Sequence, residues 1–237
     1  MENPRGKLMK KFPVLLISLL FISFLTAASA EEKKDTNGPG LSVGIIGMFG
    51  TSSILIDHDD DAEVDPGYIA GGGIQLEKSL SNYFALGSGA QYRYFKNDIE
   101  MVDESTLEEF KAKWTFHAIS LPFHLITSIK GPKSSLNVYT GLTYTHIFSS
   151  KMSTDDTLTS GIKNDDAMKF INSTQVGVSG GLIFKFMVTE YTDFFMGIMA
   201  EYYPTDLIKN SGDGDAIHLL NYSFNTGYMF RTNMFNL

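Results

Sequence analysis

Alternation between apolar and small or polar residues recurs in about eight stretches of this chain between residues 41 and 231. In the last stretch, from Leu220 to Phe230, Leu, Tyr, Phe, Thr, Tyr and Phe take one set of positions, while Asn, Ser, Asn, Gly and Met take the other. A period of two residues indicates β-strand, because successive side chains of a strand stand on opposite faces. The alternation therefore predicts an all-β chain of about eight strands.

The second face of these strands is poor in charge and carries mainly Gly, Ser, Thr, Asn and Gln. A soluble sheet normally exposes a charged face to water. Because no such face is present here, the apolar face is the better candidate for the outer surface, in contact with lipid. Only a closed sheet can cross a bilayer by strands, since an open edge would leave backbone groups without partners. We therefore predict an eight-stranded, antiparallel, up-and-down transmembrane β-barrel with its apolar face outward.

The connections between the predicted strands alternate in length. Short connections fall near residues 79–81, 130–135 and 189–191, and long ones cover residues 57–66, 97–113, 150–171 and 204–216. Outer-membrane barrels combine short periplasmic turns with longer extracellular loops in this way. We therefore expect four long, mobile, acidic loops at the outer end, available to a protein or surface partner, and both termini at the periplasmic end.

The first thirty residues have the features of a secretory signal peptide. Lys10 and Lys11 precede an apolar run from Phe12 to Leu25, and small residues follow up to Ala30. This order predicts a signal peptide over 1–30 with cleavage after Ala30, a flexible leader over 31–40 and a barrel over 41–237. Met9 is an alternative start. No later run of about 18 apolar residues occurs, so we expect no membrane-spanning helix after the signal and place the exported chain in the outer membrane.

Charge and cysteine content exclude several classes of function. The formal net charge is −8, and because the first thirty residues carry +3, the remainder carries −8 minus 3, or −11. Such an acidic chain is a poor nucleic-acid ligand. With no cysteine, the chain has no disulfide framework and no thiolate metal site.

Four charges interrupt the inward face: Glu77, Arg93, Lys185 and Glu201. Strand direction places Glu77 and Lys185 near the periplasmic end, and Arg93 and Glu201 nearer the outer end. Buried charges need partners, so we predict the ion pairs Glu77–Lys185 and Arg93–Glu201 in a lumen only wide enough for side chains. The pairs are read either as parts of a filled lumen or as the gate of a narrow pore.

The first long loop is dense in carboxylates and could bind Ca²⁺ or Mg²⁺ through Asp57, Asp59, Asp60, Asp61 and Glu63. It is not an EF-hand, since Ala62 stands where Gly is needed and Tyr68 where the bidentate Glu belongs. We therefore predict a solvated acidic loop, with no bound metal and no cofactor.

Enzyme motifs are absent from the sequence. The five histidines are scattered, with no H-E-x-x-H spacing, and no nucleophile elbow precedes a helix. His218, Asp215 and Ser52 or Ser53 could meet at the outer rim as a triad, but these residue types are common. The Gly71–Gly73 run lies inside a strand and is not a phosphate loop. We therefore predict a protein that is not an enzyme and has no catalytic residues.

Two aromatic residues fall on the inward positions of a strand, where small or polar residues are expected. Trp114 and Phe116 lie on the opposite phase to Ile119, Leu121 and Phe123 in the fourth predicted strand. A β-bulge near Ala118, or an interfacial position for these aromatics, would explain the change.

Several short motifs resemble those of small outer-membrane β-barrel families. They are Ile-Ser-Leu-Pro-Phe-His-Leu at 119–125, Val-Tyr-Thr-Gly-Leu at 138–142, Gly-Tyr-Ile-Ala-Gly-Gly at 67–72 and Gly-Tyr-Met-Phe at 227–230. In these motifs the chain resembles the OmpA-type transmembrane domain and, more closely, the PorT-like barrels. It departs from them at Leu237, where many such barrels end in an aromatic assembly signal. The resemblance implies an outer-membrane barrel.

Together these observations predict an integral outer-membrane barrel, in contact with outer-membrane lipid, that acts structurally or in adhesion or partner docking. A narrow porin-like channel is the first alternative. A soluble lipocalin-like carrier of a small apolar ligand is the second, and it would require the apolar face to point inward.

Overall fold

The computed structural model describes residues 40–56, 66–103, 108–154, 168, 171–208 and 216–231. The predicted signal peptide and all but the last residue of the predicted leader lie outside this part of the chain. The described residues form eight strands: β1 (Leu41–Ile56), β2 (Gly67–Ser79), β3 (Phe84–Asp103), β4 (Glu108–Lys130), β5 (Ser134–Thr154), β6 (Thr174–Thr189), β7 (Thr192–Tyr203) and β8 (Ile217–Arg231).

The strands close into one barrel. Each strand pairs antiparallel with the next, and β1 pairs with β8 from Ser42 opposite Arg231 to Ile56 opposite Ile217. The predicted all-β, eight-stranded, antiparallel up-and-down barrel is therefore confirmed. Within the described residues no helix is long and apolar enough to cross a membrane.

The barrel has its apolar face outside. Large side chains such as Phe49, Leu142 and Ile198 are 54–61% exposed on the outer wall. Polar side chains on the inner face of the sheet, such as Gln75 and Thr143, are buried in the lumen. This arrangement follows from the period-two pattern, since closing the sheet sends alternate residues inward.

The predicted long loop at 97–113 is wrong. β3 continues to Asp103 and β4 starts at Glu108, and their backbones stay paired from Asn97 opposite Trp114 to Asp103 opposite Glu108. β5 likewise continues to Thr154, so residues 150–154 belong to a strand. Strands that extend past the bilayer meet water on both faces and lose apolar alternation, yet their backbone ladder continues.

The predicted β-bulge is present, but it does not explain the two aromatics. The register shifts between His117 and Ala118, where β5 supplies Ile147 and Ser149 as partners and leaves Phe148 as the extra residue. Trp114 and Phe116 are 7% and 1% exposed, in phase with buried Ser120. An interfacial position for them is therefore wrong, and they point into the barrel.

Candidate functional site: the barrel lumen

The outer half of the lumen contains a desolvated ion pair. β3 and β7 each send one charge inward, and the Arg93 guanidinium meets the Glu201 carboxylate through both terminal nitrogens. The Arg93 Nη2 to Glu201 Oε1 distance is 2.8 Å, and the two side chains are 2% and 3% exposed. This fork-to-carboxylate geometry is among the strongest charge-assisted hydrogen bonds in proteins.

Further hydrogen bonds hold this pair in place. Arg93 Nη2 donates to Gln91 Oε1 at 2.8 Å, and Arg93 Nη1 donates to the Tyr203 hydroxyl at 3.0 Å. The Thr143 hydroxyl donates to Glu201 Oε1 at 3.4 Å. Burying two charges costs several kcal/mol per ion unless such contacts replace water, and here they do. The pair therefore sits in a polar layer that satisfies both terminal nitrogens of Arg93, while its Nε is buried without a hydrogen-bond partner.

The second pair lies nearer the end with the short turns. Lys185 Nζ contacts Glu77 Oε2, the Tyr139 hydroxyl donates to Glu77 Oε1, and Gln75 Nε2 donates to the same oxygen at 2.9 Å. The Lys185 and Glu77 side chains are 12% and 8% exposed, so this pair is less desolvated than the outer one. All four charges singled out in the sequence thus meet in two pairs.

The part of the lumen between the two ion pairs contains little empty space. A cavity of about 20 Å³ lies between them, lined among others by Gln75, His124, Tyr139 and Glu201. His124 Nε2 is hydrogen-bonded to Ser179 Oγ at 2.9 Å, and the His124 ring meets the Tyr139 ring edge-on at 5.5 Å. That volume accommodates about one water molecule.

An apolar cluster spans the lumen at the outer end, above the Arg93–Glu201 pair. The Trp114 and Phe116 rings pack perpendicular to each other at 5.7 Å. Ile171 and Leu207, from the segments that follow β5 and β7, are fully buried in the same cluster. The other buried members are Met48, Ile54, Ile69, Phe95, Ala118, Ile147, Tyr203 and Leu219. Sequence reasoning missed this cluster, although following the inward phase of Ser120 back along β4 leads to its two aromatics.

The end with the short turns is open by contrast. A vestibule of about 700 Å³ opens there, lined by Glu77, Lys185, Lys130, Lys133 and Arg231 together with serine and asparagine side chains. At its rim, Arg231 Nη2 bonds both carboxylate oxygens of Asp193 at 3.0 and 3.1 Å. The lumen is therefore asymmetric, with a polar entrance at one end and apolar side chains across the other.

Two other groups of candidate residues are not brought together by the described structure. The carboxylates of the first loop, Asp57, Asp59, Asp60, Asp61 and Glu63, lie outside the described residues, and the described residues contain no His, Asp and Glu group that could hold a metal ion. Ser52 is buried inside the barrel, whereas His218 packs against Tyr202 on the outside at 5.8 Å. A triad containing Ser52 and His218 is therefore not formed, and Asp215, which the alternative with Ser53 also needs, lies outside the described residues.

An outward apolar face around a charged lumen defines a membrane barrel, and the family comparison agrees. Residues 38–203 match the model described as outer membrane protein beta-barrel domain. The chain belongs to this family. Its place is the outer membrane, with the barrel wall in lipid, and the soluble lipocalin-like carrier is excluded because the apolar face points outward.

Solved structures of small outer-membrane proteins are similar to this barrel at low identity. OprG from Pseudomonas aeruginosa has 14% identity and a TM-score of 0.48, with 81% of this chain and 96% of that chain covered. Ail from Yersinia pestis has 14% identity, a TM-score of 0.38 and coverage of 81% and 100%. The outer membrane protease OmpT from Escherichia coli has 10% identity, a TM-score of 0.40 and coverage of 84% and 99%. No curated protein sequence matches the chain.

Proposed function

We propose that this outer-membrane barrel is a non-conducting scaffold that acts at the cell surface through the segments at its outer end, in adhesion, partner docking or support of the envelope. The observation that supports the proposal is the set of side chains buried along the lumen. Two ion pairs, a cavity of about 20 Å³ and an apolar cluster succeed one another along it. An ion would have to displace buried side chains to pass through the lumen. The residues that can contact an external partner therefore lie on the outer surface of the barrel.

The outer segments are the acting surface in this proposal. The segments 57–66, 97–113, 150–171 and 204–216 carry an excess of Asp and Glu, and the first contains six carboxylates and no Lys or Arg. The hairpin formed by β3 and β4 projects beyond the other strand pairs and gives part of this surface a rigid backbone. An acidic surface favours a basic partner and a contact that weakens as salt rises.

Planar-bilayer recordings test the filled lumen. Wild-type protein should give no discrete conductance steps, and Arg93→Ala should stay silent because the apolar cluster still spans the outer end. Steps in the wild type would support the narrow porin-like channel instead. Steps that appear only in Arg93→Ala would identify the ion pair as a gate. Heat-modifiable migration on a detergent gel confirms that each variant is folded.

Adherence assays test the surface role. Bacteria that display the wild type should bind cultured cell monolayers more than bacteria without the barrel. The variant Asp59→Asn, Asp60→Asn, Asp61→Asn, Glu63→Gln should lose most of that difference, whereas the control variant Lys130→Gln, Lys133→Gln at the opposite end should keep it. If the wild type and the barrel-free strain adhere equally, the docking role is refuted and a structural role remains.

A further inference from the structure

Two lysines, Lys96 and Lys151, form a row with Thr115 between them on the lipid-facing side of the wall made by β3, β4 and β5. Lys96 of β3 is in register with Tyr68 of β2 and Thr115 of β4, and Thr115 is in register with Lys151 of β5. The neighbours of Lys96 along β3, Phe95 and Asn97, are buried in the lumen, so Lys96 stands outside. Two strand spacings separate the lysine backbones by about 10 Å, with the threonine between them.

An aromatic band begins at this row, where Tyr68 is in register with Lys96, and continues below it through Tyr94 and Tyr92. Lys96 Nζ sits 5.9 Å from the centre of the Tyr68 ring, and the Tyr68 and Tyr94 rings are 5.6 Å apart. His117 continues the band: its ring lies 5.2 Å from that of Tyr94, and its Nδ1 is hydrogen-bonded to the Tyr92 hydroxyl at 2.6 Å. Aromatic girdles mark the membrane interface of such barrels, so the cations above them are at headgroup height.

The wall below the aromatic band is mainly apolar, with the exposed His146 in register with Ile119. Ile119 and Leu142 are 46% and 54% exposed on it. Phe148, 48% exposed, belongs to the aromatic band itself, since its ring lies 6.3 Å from that of His117 and 6.4 Å from that of Tyr92. Acyl chains can therefore lie against the wall directly beneath the two lysines. A ligand with a phosphate on top and hydrocarbon below matches the order of cation, aromatic and apolar residues.

We propose that Lys96, Thr115 and Lys151 form a binding site for the phosphate group of an anionic lipid in the outer leaflet. The two ammonium groups supply charge and the threonine hydroxyl supplies a hydrogen-bond donor. Lys113 is left out of the site because its backbone is in register with the acidic residue Asp98. Soluble phosphate would use the lysines but not the apolar wall, so the lipid is the ligand to which the surface is complementary.

Native mass spectrometry of the purified full chain tests the site, with phosphatidylglycerol and phosphatidylcholine as probes. The wild type should retain phosphatidylglycerol in preference to phosphatidylcholine. Because each lysine at a membrane surface contributes about 1 kcal/mol of attraction to anionic lipid, or about fivefold, Lys96→Gln, Lys151→Gln should weaken retention about 25-fold. The single variant Lys151→Gln should weaken it about fivefold by the same reasoning.

Controls separate this site from general attraction to lipid. Lys130→Gln, Lys133→Gln removes the same charge at the opposite end of the barrel and should bind phosphatidylglycerol as the wild type does. Unchanged retention in Lys96→Gln, Lys151→Gln, or equal retention of the two lipids by the wild type, would overturn the proposal and leave two lysines that merely extend into water. Displacement of phosphatidylglycerol by millimolar inorganic phosphate would show a soluble-anion site and overturn it as well.

Discussion

Replacing Glu201 by glutamine should destabilise the barrel strongly, because it leaves the Arg93 guanidinium charged and only 2% exposed in the lumen. Removing one partner of a buried ion pair costs about 3–5 kcal/mol, since the remaining charge has lost both water and counter-charge. Glutamine keeps one hydrogen-bond acceptor near Arg93, so we expect the lower part of this range, about 3 kcal/mol.

The measurement is urea unfolding of the barrel reconstituted in lipid vesicles. The sole tryptophan, Trp114, reports unfolding because it is buried near the pair and becomes exposed. Glu190→Gln is the matched control, since Glu190 lies exposed in the turn after β6 and a surface change away from special features shifts stability by about 0.5 kcal/mol or less.

A double-mutant cycle isolates the pair itself. Arg93→Met should also be costly, and the double variant Arg93→Met, Glu201→Gln should recover part of the loss because no unpaired charge remains. Coupling between contacting residues is typically about 0.5–3 kcal/mol, and the upper half of that range is expected here. A loss below about 1 kcal/mol for Glu201→Gln, or strictly additive single losses, would refute the account of a desolvated, mutually dependent pair.

Two further substitutions test the wall of the barrel. Ile198→Lys, at a position 61% exposed on β7, should cost about 2–4 kcal/mol in vesicles if that position is near the bilayer midplane, and Ile198→Leu should be close to neutral. Equal urea midpoints for these two variants would contradict an apolar face in lipid. Gly141→Ala should reduce the heat-modifiable fraction, because a Cβ there would lie 1.9 Å from the Phe123 carbonyl oxygen. Unaltered folding yield would mean that β4 and β5 can separate at this point without cost.

The strands and their faces could be predicted because the information is local. Alternation along β8, from Leu220 to Phe230, specifies both the strand and its lipid face without reference to any other segment. The same alternation assigned Glu77, Arg93, Lys185 and Glu201 to the inside. An up-and-down order then placed their strands across the barrel from each other, so both pairings could be anticipated.

The upper part of the β3–β4 hairpin could not be predicted, because alternation reports the environment of a strand and not its hydrogen bonds. Residues 97–103 and 108–113 are rich in charge and extend past the apolar band, so their sequence is typical of a loop while their backbones stay paired. The apolar alternation ends at the edge of the bilayer, because only lipid-facing positions need to be apolar. The backbone hydrogen bonds between the two strands can continue beyond that edge.

By itself the sequence determined the strand number, the outward apolar face and the inward position of four charges, since each depends on a two-residue period and on chain order. Only the tertiary structure decided which side chains meet one another in the lumen. The hydrogen bonds of Tyr203 and Tyr139 to the ion pairs, and the burial of Ile171 and Leu207 in one cluster with Trp114, join residues far apart in the chain. Such contacts depend on the radius and stagger of the closed sheet, which no single strand encodes.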